Sequence, residues 1–239
     1  KNSYIDENLK QLTMKKFLLI LLLLPITAMS QQGFTRLEVT VKPGHQSAVV
    51  NLVDNFFSEA KWKENSGMNL ERHWQGSEKT HSILWYGPVE NSGREDGDMQ
   101  PYENNAFWSN LRTHLEGVGV AYSGRVLAWK QGAEDQDNVL IYDIIAEDPS
   151  SFLDAHNKIV DQLSNSAFKD RTVGFGTYDI GRPGGATHWI GISGTGNGDI
   201  LKMIDDIQNN HSKELNQYFQ DRGKVTDIRD FRISNVRTY

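Results

Sequence analysis

The sequence predicts an α+β protein built from two tandem βαββαβ units, each an antiparallel four-stranded sheet carrying two helices. Three observations predict it. Hydrophobic period switches between two and about 3.6 residues in the same order twice along the chain. Short matches recur: Thr80-His81 and Thr187-His188 each open a third strand, and Pro43 and Pro149 each precede a first helix. A polar, acidic stretch without apolar period, residues 131–138, lies between the halves and reads as a linker.

The first unit, 31–130, opens with a strand over 34–41 in which Leu37, Val39 and Val41 share one face. Lys42-Pro43-Gly44 breaks it, because proline lacks the amide donor and glycine permits the turn. Val49, Val53, Phe56, Phe57 and Ala60 then recur at helical spacing, predicting a helix over 46–62. Residues 69–75 and 80–86 read as a hairpin across Gly76-Ser77. A helix over 105–116 buries Phe107, Leu111 and Leu115, and Gly117 and Gly119 end it before a strand at 120–130. The second unit, 139–239, repeats the order: a strand over 139–146, a helix from Asp148-Pro149 with Phe152, Ala155, Ile159 and Leu163 buried, strands at 172–178 and 187–193, a long helix over 199–219, and a closing strand at 227–236.

Ahead of this pair, residues 1–13 precede Met14 and read as an upstream segment foreign to the fold. Residues 14–30 have the pattern of a signal peptide: Lys15 and Lys16, an apolar run from Phe17, and small residues Ala28 and Ser30 at the cleavage positions. The run is shorter than the roughly 20 residues a membrane-spanning helix needs, so no stable membrane anchor is expected after cleavage near Gln31. The expected location is exported, periplasmic or extracellular.

Cysteine is absent, which removes disulfides, thiolate metal sites and cysteine nucleophiles together. With 25 basic against 31 acidic residues and no Lys/Arg-rich tract, nucleic acid is not an expected partner. No G-x-S-x-G and no H-E-x-x-H occurs, so serine hydrolase and zinc protease chemistry lack their usual signatures. The glycine-dense segment 191–199 fits neither dinucleotide nor P-loop spacing and reads as a loop capped by Asp199. Acidic loops at 95–98 and 134–137 lack the ligand periodicity of a calcium-binding hand.

In a split βαβ order the first and third strands lie centrally and the second and fourth at the edges. Apolar segments such as 83–86 and 139–145 fit central strands, and the charge-bearing 69–75 and 227–233 fit edges. Helices on one side leave the other sheet face bare, and the sheet of the other unit is the nearest cover. The units are therefore expected to pack sheet to sheet, helices outside, as a monomeric pseudo-dimer. This layout, with Lys42-Pro43-Gly44 closing the first strand, resembles the dimeric α/β-barrel superfamily of ferredoxin-like units, including antibiotic-biosynthesis monooxygenase-like, NIPSNAP-like and chlorite-dismutase-like proteins. The resemblance implies the fold. It does not choose among cofactor-free oxygenases, haem proteins and ligand binders.

Residues that can carry chemistry gather in the first hairpin. Were its turn centred on Ser77, His73 and His81 would lie opposite each other with Cβ atoms about 5 Å apart, while a shift of one residue would put them on opposite faces. Arg72, Trp74 and Trp85 on the same strands, with His188 at the repeat position of His81, complete the ligand-pocket candidates. The plainer account makes the histidines hydrogen-bonded structural residues and the tryptophans core. The expected function is binding of a small apolar or aromatic molecule. A cofactor-free or haem-dependent monooxygenase-like enzyme and an interaction module without a ligand are the alternatives; the sequence requires no cofactor and leaves haem possible. Intact mass of the exported protein is expected to correspond to a chain beginning within a few residues of Gln31, and a mass retaining 17–30 would identify that segment as an anchor.

Overall fold

The computed structural model describes residues 30–239; the upstream segment and signal-peptide expectations lie outside them. The elements follow in the order β1 (Gln32–Val41), α1 (Gln46–Phe57), β2 (Gly67–Gln75), β3 (His81–Pro88), α2 (Pro101–Thr113), β4 (Leu115–Lys130), β5 (Asn138–Ala146), α3 (Pro149–Leu163), β6 (Val173–Thr177), β7 (His188–Gly194), α4 (Asn197–Asn210), α5 (Ser212–Asp221) and β8 (Val225–Thr238). Each half places its first and third strands centrally, as expected, and the two sheets face each other with the helices outside. The sheets also join at both seams, β2 to β8 and β4 to β6, closing an eight-stranded antiparallel barrel.

Local chemistry accounts for where elements differ from the sequence reading. Helix α1 ends at Phe57 because Trp62 leaves the helical path to form a bridge with Arg94. Helix α2 begins at Pro101, whose missing amide suits the first helical position, behind a Gln100/Glu103 capping box. It stops before Leu115, which already pairs with Val41, so Gly117 and Gly119 are strand residues. The long C-terminal helix is two helices broken at His211, whose φ of −125° and ψ of 28° are not helical.

The repeated Thr-His dipeptide has one structural role in both units. Thr80 and Thr187 each sit at the end of the central strand pair, where the backbone amide donates to Val39 and Ile144 respectively. Each hydroxyl also accepts from that neighbouring strand, at Val41 (2.8 Å) and Ala146 (3.3 Å), and lies 2.9 and 2.8 Å from Nδ1 of the following histidine. The pairings Val39 with His81 and Ile144 with His188 then make Glu38 and Asp143 equivalent positions.

Those two carboxylates organise the barrel interior. Period-two alternation turns Leu37, Val39, Met68, Leu70 and Ile83 outward onto α1 and α2, and turns Arg36, Glu38, Glu71, His73 and Ser82 inward. The inward faces are thus not the bare apolar surfaces expected. Arg229 of β8 reaches Glu38 and Asp143, each at 2.6 Å, joining the two units. Tyr122 donates to Glu38 (2.8 Å) and Tyr178 to Asp143 (2.5 Å), while Arg36 pairs with Glu71 (2.9 Å). The charges in β2 and β8 therefore reflect this network and the outer surface; as seam strands they have no free edge along the paired length.

Because Glu38 and Asp143 are almost completely buried, removing their shared cation leaves two desolvated carboxylates uncompensated. Arg229→Met is expected to lower unfolding free energy in urea by about 3–5 kcal/mol, the usual cost of breaking a buried pair. Adding Glu38→Gln and Asp143→Asn should recover a substantial part of it. Either half expressed alone is expected to aggregate or dimerise, since both seams become open strand edges; a well-behaved monomer in size-exclusion chromatography would count against that reasoning.

Candidate functional site

The hairpin register decides the first candidate constellation. Arg72 pairs with His81, so the turn is centred between Gly76 and Ser77 and the two histidines lie on opposite faces. His73 points into the barrel, with Nε2 at 2.9 Å from Ser82 Oγ, Nδ1 at 2.8 Å from Ser77 Oγ, and its ring beside Phe231. Burial, reinforced by the charge of Arg36, pushes its pKa down to about 3, so it is a neutral, fully bonded core residue at neutral pH. His81 points outward beneath Arg72 and is buried, its pKa pushed to about 4 by burial and then by Arg72.

The other candidates do not converge with them. Arg72 lies 3.8 Å over the ring of Trp74, which is 46% exposed and donates its indole N–H to Ser234. Trp85 packs into the first-unit core against Trp108. His188 faces outward in the second unit, stacked on Phe175 at 5.3 Å, with its pKa lowered by burial against the pull of Asp179. Nor do Gly174 and Gly176 leave open space in that unit's hairpin, while a Cβ on Gly191 would meet only ordinary contacts at 3.6 Å. A Cβ on Gly176 would come within 2.6 Å of the Trp189 indole, which fills the interior there.

Open volume lies instead on the outer face of the second sheet. In the first unit the equivalent layer is filled by rings: Phe56 stacks on Phe107 at 4.4 Å, Phe57 on Trp62 at 6.0 Å, and Trp85 meets Trp108. The second unit puts aliphatic side chains in that layer, Met203, Ile204 and Ile207 from α4 and Leu215 from α5, and these do not fill it. A cavity of about 350 Å³ remains between β5, β6 and β7 and helices α3, α4 and α5. Tyr142, Ile144, Ile190 and Ile192 form its sheet wall; Gln208, Phe219, Arg222 and Asp227 also border it.

His156 of α3 is the polar group set into this wall. It is 3% exposed, and no side-chain or backbone group among the described residues hydrogen-bonds its ring. Its neighbours are Phe152 at 6.5 Å and Phe175 at 5.4 Å. Burial pushes its pKa down to about 4, so at neutral pH it offers one N–H donor and one lone-pair acceptor to whatever occupies the cavity. Its nitrogens are not among the fully buried polar atoms that lack a partner, so the ring keeps slight solvent contact, and a ligand that bonds it takes the place of water. The sequence reading missed His156. The available signal was its place four residues after Phe152, on the helix face that Ala155 and Ile159 mark as buried.

Other openings are less suited. A groove of about 520 Å³ beside α1 and α2 is polar, and the Arg94–Asp98 pair at 2.6 Å occupies its rim. Phe56 lies there between Phe107 and the Arg94 guanidinium, leaving no free ring face. The α4 N-terminus is likewise filled, since Asp199 accepts from the Thr195 amide and from Arg171. Among the described residues no cluster of three or more His, Asp and Glu side chains is placed to hold a metal ion.

A sheet-to-sheet barrel of two ferredoxin-like units with helices outside is the dimeric α/β-barrel fold, here within one chain. Solved structures agree. A proposed monooxygenase from Lactobacillus acidophilus superposes with a TM-score of 0.58 at 12% identity, covering 87% of this chain and 98% of that one. A proposed monooxygenase from Fusobacterium nucleatum gives 0.57 at 10%, covering 88% and 94%, and a heme-binding protein from Thermus thermophilus gives 0.51 at 9%, covering 87% and 92%. At such identities the likeness concerns the fold. No protein-family model and no curated protein sequence matches the chain.

The buried histidines set the response to acid. The folded state keeps His73, His81 and His156 neutral, whereas the unfolded chain protonates them near pH 6.5. Their contribution to stability is therefore present above pH 6.5 and declines as pH falls toward their folded values of about 4 and, for His73, about 3. Urea unfolding across pH 7 to 4 should show this decline. His156→Phe should shallow it by at most about 1.4 kcal/mol per pH unit, the limit for one proton.

Proposed function

We propose that this chain is an exported small-ligand-binding protein that takes an apolar or aromatic molecule into the second-unit cavity and orients it through His156. The observation that carries the reading is the neutral imidazole, bonded to no other residue, in a mostly apolar wall. An apolar enclosure with very few placed polar groups is the usual composition of a small-molecule site. A ligand there gains burial of its apolar surface and satisfies the histidine.

The ligand reaches the cavity within a single chain, because both halves of the barrel come from one polypeptide and the protein acts as a monomeric pseudo-dimer. An oxygenase-like activity is the second reading. It is favoured by the same imidazole, which with a pKa of about 4 is available as a proton acceptor at neutral pH, and by a fold shared with proteins described as monooxygenases. Were haem to bind, His156 would be the residue to hold its iron. The present volume, about 350 Å³, is at the small end of ligand sites, so a macrocycle would require the helices to part.

Native mass spectrometry and absorbance of protein purified from its exporting cell test this reading. A retained apolar molecule is expected, released on denaturation. His156→Phe is expected to weaken its retention by roughly tenfold, the worth of one ordinary hydrogen bond, while the thermal midpoint stays within a few degrees. A Soret band that shifts or vanishes in that variant would select haem. Protein that neither carries a molecule nor takes up hemin or a panel of aromatic compounds would leave the ligand-free interaction module standing.

A further inference from the structure

We infer that α5 is a hinged flap over the second-unit cavity, opening about His211 and Gly223 to admit ligand and latched shut by the Lys158–Asp221 ion pair. The inference rests on that cavity being a binding site. Three independent features of the helix carry it. The first is its packing: every other helix buries at least two side chains fully in the core, whereas no residue of α5 is fully buried. Leu215 and Tyr218 are set toward the core; both line the cavity together with Phe219 and Arg222, and Tyr218 also meets Phe152 edge-on at 6.0 Å. The helix also lies along α3, so its attachment is shared between that helix and the cavity roof.

The second feature is the chain at its two ends. The break at His211 separates α5 from α4, and Gly223 at φ +70° takes a left-handed conformation in open surroundings, with Asp148 Cβ no nearer than 3.8 Å to an added Cβ. Both are element-terminal positions that can absorb backbone rotation without disturbing a packed neighbour. Beyond Gly223 the chain is fixed again, since Lys224 O accepts from Glu147 N and β8 begins at Val225.

The third feature is the polar tie. Lys158 of α3 meets Asp221, the last residue of α5, at 2.7 Å, with the two side chains 49% and 34% exposed. A pair in that exposure contributes little and exchanges readily with water, which suits a latch better than a permanent joint. Arg222 lies over Tyr218 and Phe219 at 5.3 and 4.6 Å, bracing the cavity-facing side of the helix from its own end. No comparable helix roofs the first unit, where the equivalent layer is filled with rings.

The test uses the absence of cysteine in this sequence. Lys158→Cys and Asp221→Cys are combined and bridged by a short bis-methanethiosulfonate, which reductant removes. Hydrogen exchange of the whole mature protein then reports opening without any ligand. Amides of α5 are expected to exchange at least tenfold faster than those of α3 and α4, to slow by a similar factor when bridged, and to recover on reduction; Lys158→Ala should quicken them. Exchange of α5 at the rate of the surrounding helices, or unaffected by the bridge, would overturn the flap. Nile red, an uncharged fluorescent probe, reads admission: bridging should slow its uptake at least tenfold, and unchanged uptake in the bridged protein would show entry by another route and also overturn it. If the unbridged protein takes up no Nile red, the binding reading falls, and the exchange rates still decide the flap.

Discussion

The structure depends on one guanidinium. Arg229 belongs to the second unit, yet it holds Glu38 of the first and Asp143 of its own at 2.6 Å each. The two acids occupy equivalent positions in the repeat, so a single cation serves both halves of a near-symmetric barrel. Burial works to raise the pKa of Glu38, and the hydrogen bond and charge of Arg229, with Tyr122, outweigh it and leave the group below its ordinary range. For Asp143 burial prevails against Tyr178 and Arg229, and its pKa is raised. A buried network of this kind is poor as a source of net stability and good as a device for register. A slip of one residue in any contributing strand would turn its member outward and leave the others unpaired.

That arrangement occupies most of the polar groups that face the barrel interior. Glu71 bonds Arg36 and Ser82, Ser82 bonds His73, and Tyr122 and Tyr178 donate to Glu38 and Asp143. The opportunity for a site passes to the outer faces of the sheets, where packing between strands and helices depends on side-chain shape alone. There the halves have diverged. Aromatic residues fill the first unit, and thinner aliphatic ones leave the second open.

How much of this was legible in the sequence follows from the range of the interactions involved. Element order, the central and seam strands and the outward helices were readable because period-two and period-3.6 patterns are local. The Thr-His repeat was readable as a match, and its meaning, a hydroxyl clasp between central strands, was not. His73 and His81 were separated by a turn centre half a residue from the one considered, a detail that neither Gly76 nor Ser77 specifies by itself. The charges of β2 looked like edge protection because Glu71 and Arg72 alternate faces, one joining the interior network and the other stacking on Trp74. His156 was hidden for the opposite reason. It sits on a stripe whose periodicity is entirely regular, and only the three-dimensional list of its missing partners distinguishes it from a core histidine.

The same contrast locates adaptability in the molecule. Motion is least costly where few apolar contacts and no buried ions have to be broken. The seams satisfy neither condition, since opening β2 from β8 interrupts a ladder and separates Glu38 from Arg229. Helix α5 meets the second condition and part of the first: its ion pair to α3 is solvent-facing and its two inward side chains border unfilled volume, although Tyr218 also packs on Phe152. Closing the barrel through ionic contacts and setting one helix over unfilled volume are complementary features. The wall fixes His156 and Tyr142, and the proposed flap can yield to a ligand without disturbing the register on which the wall depends.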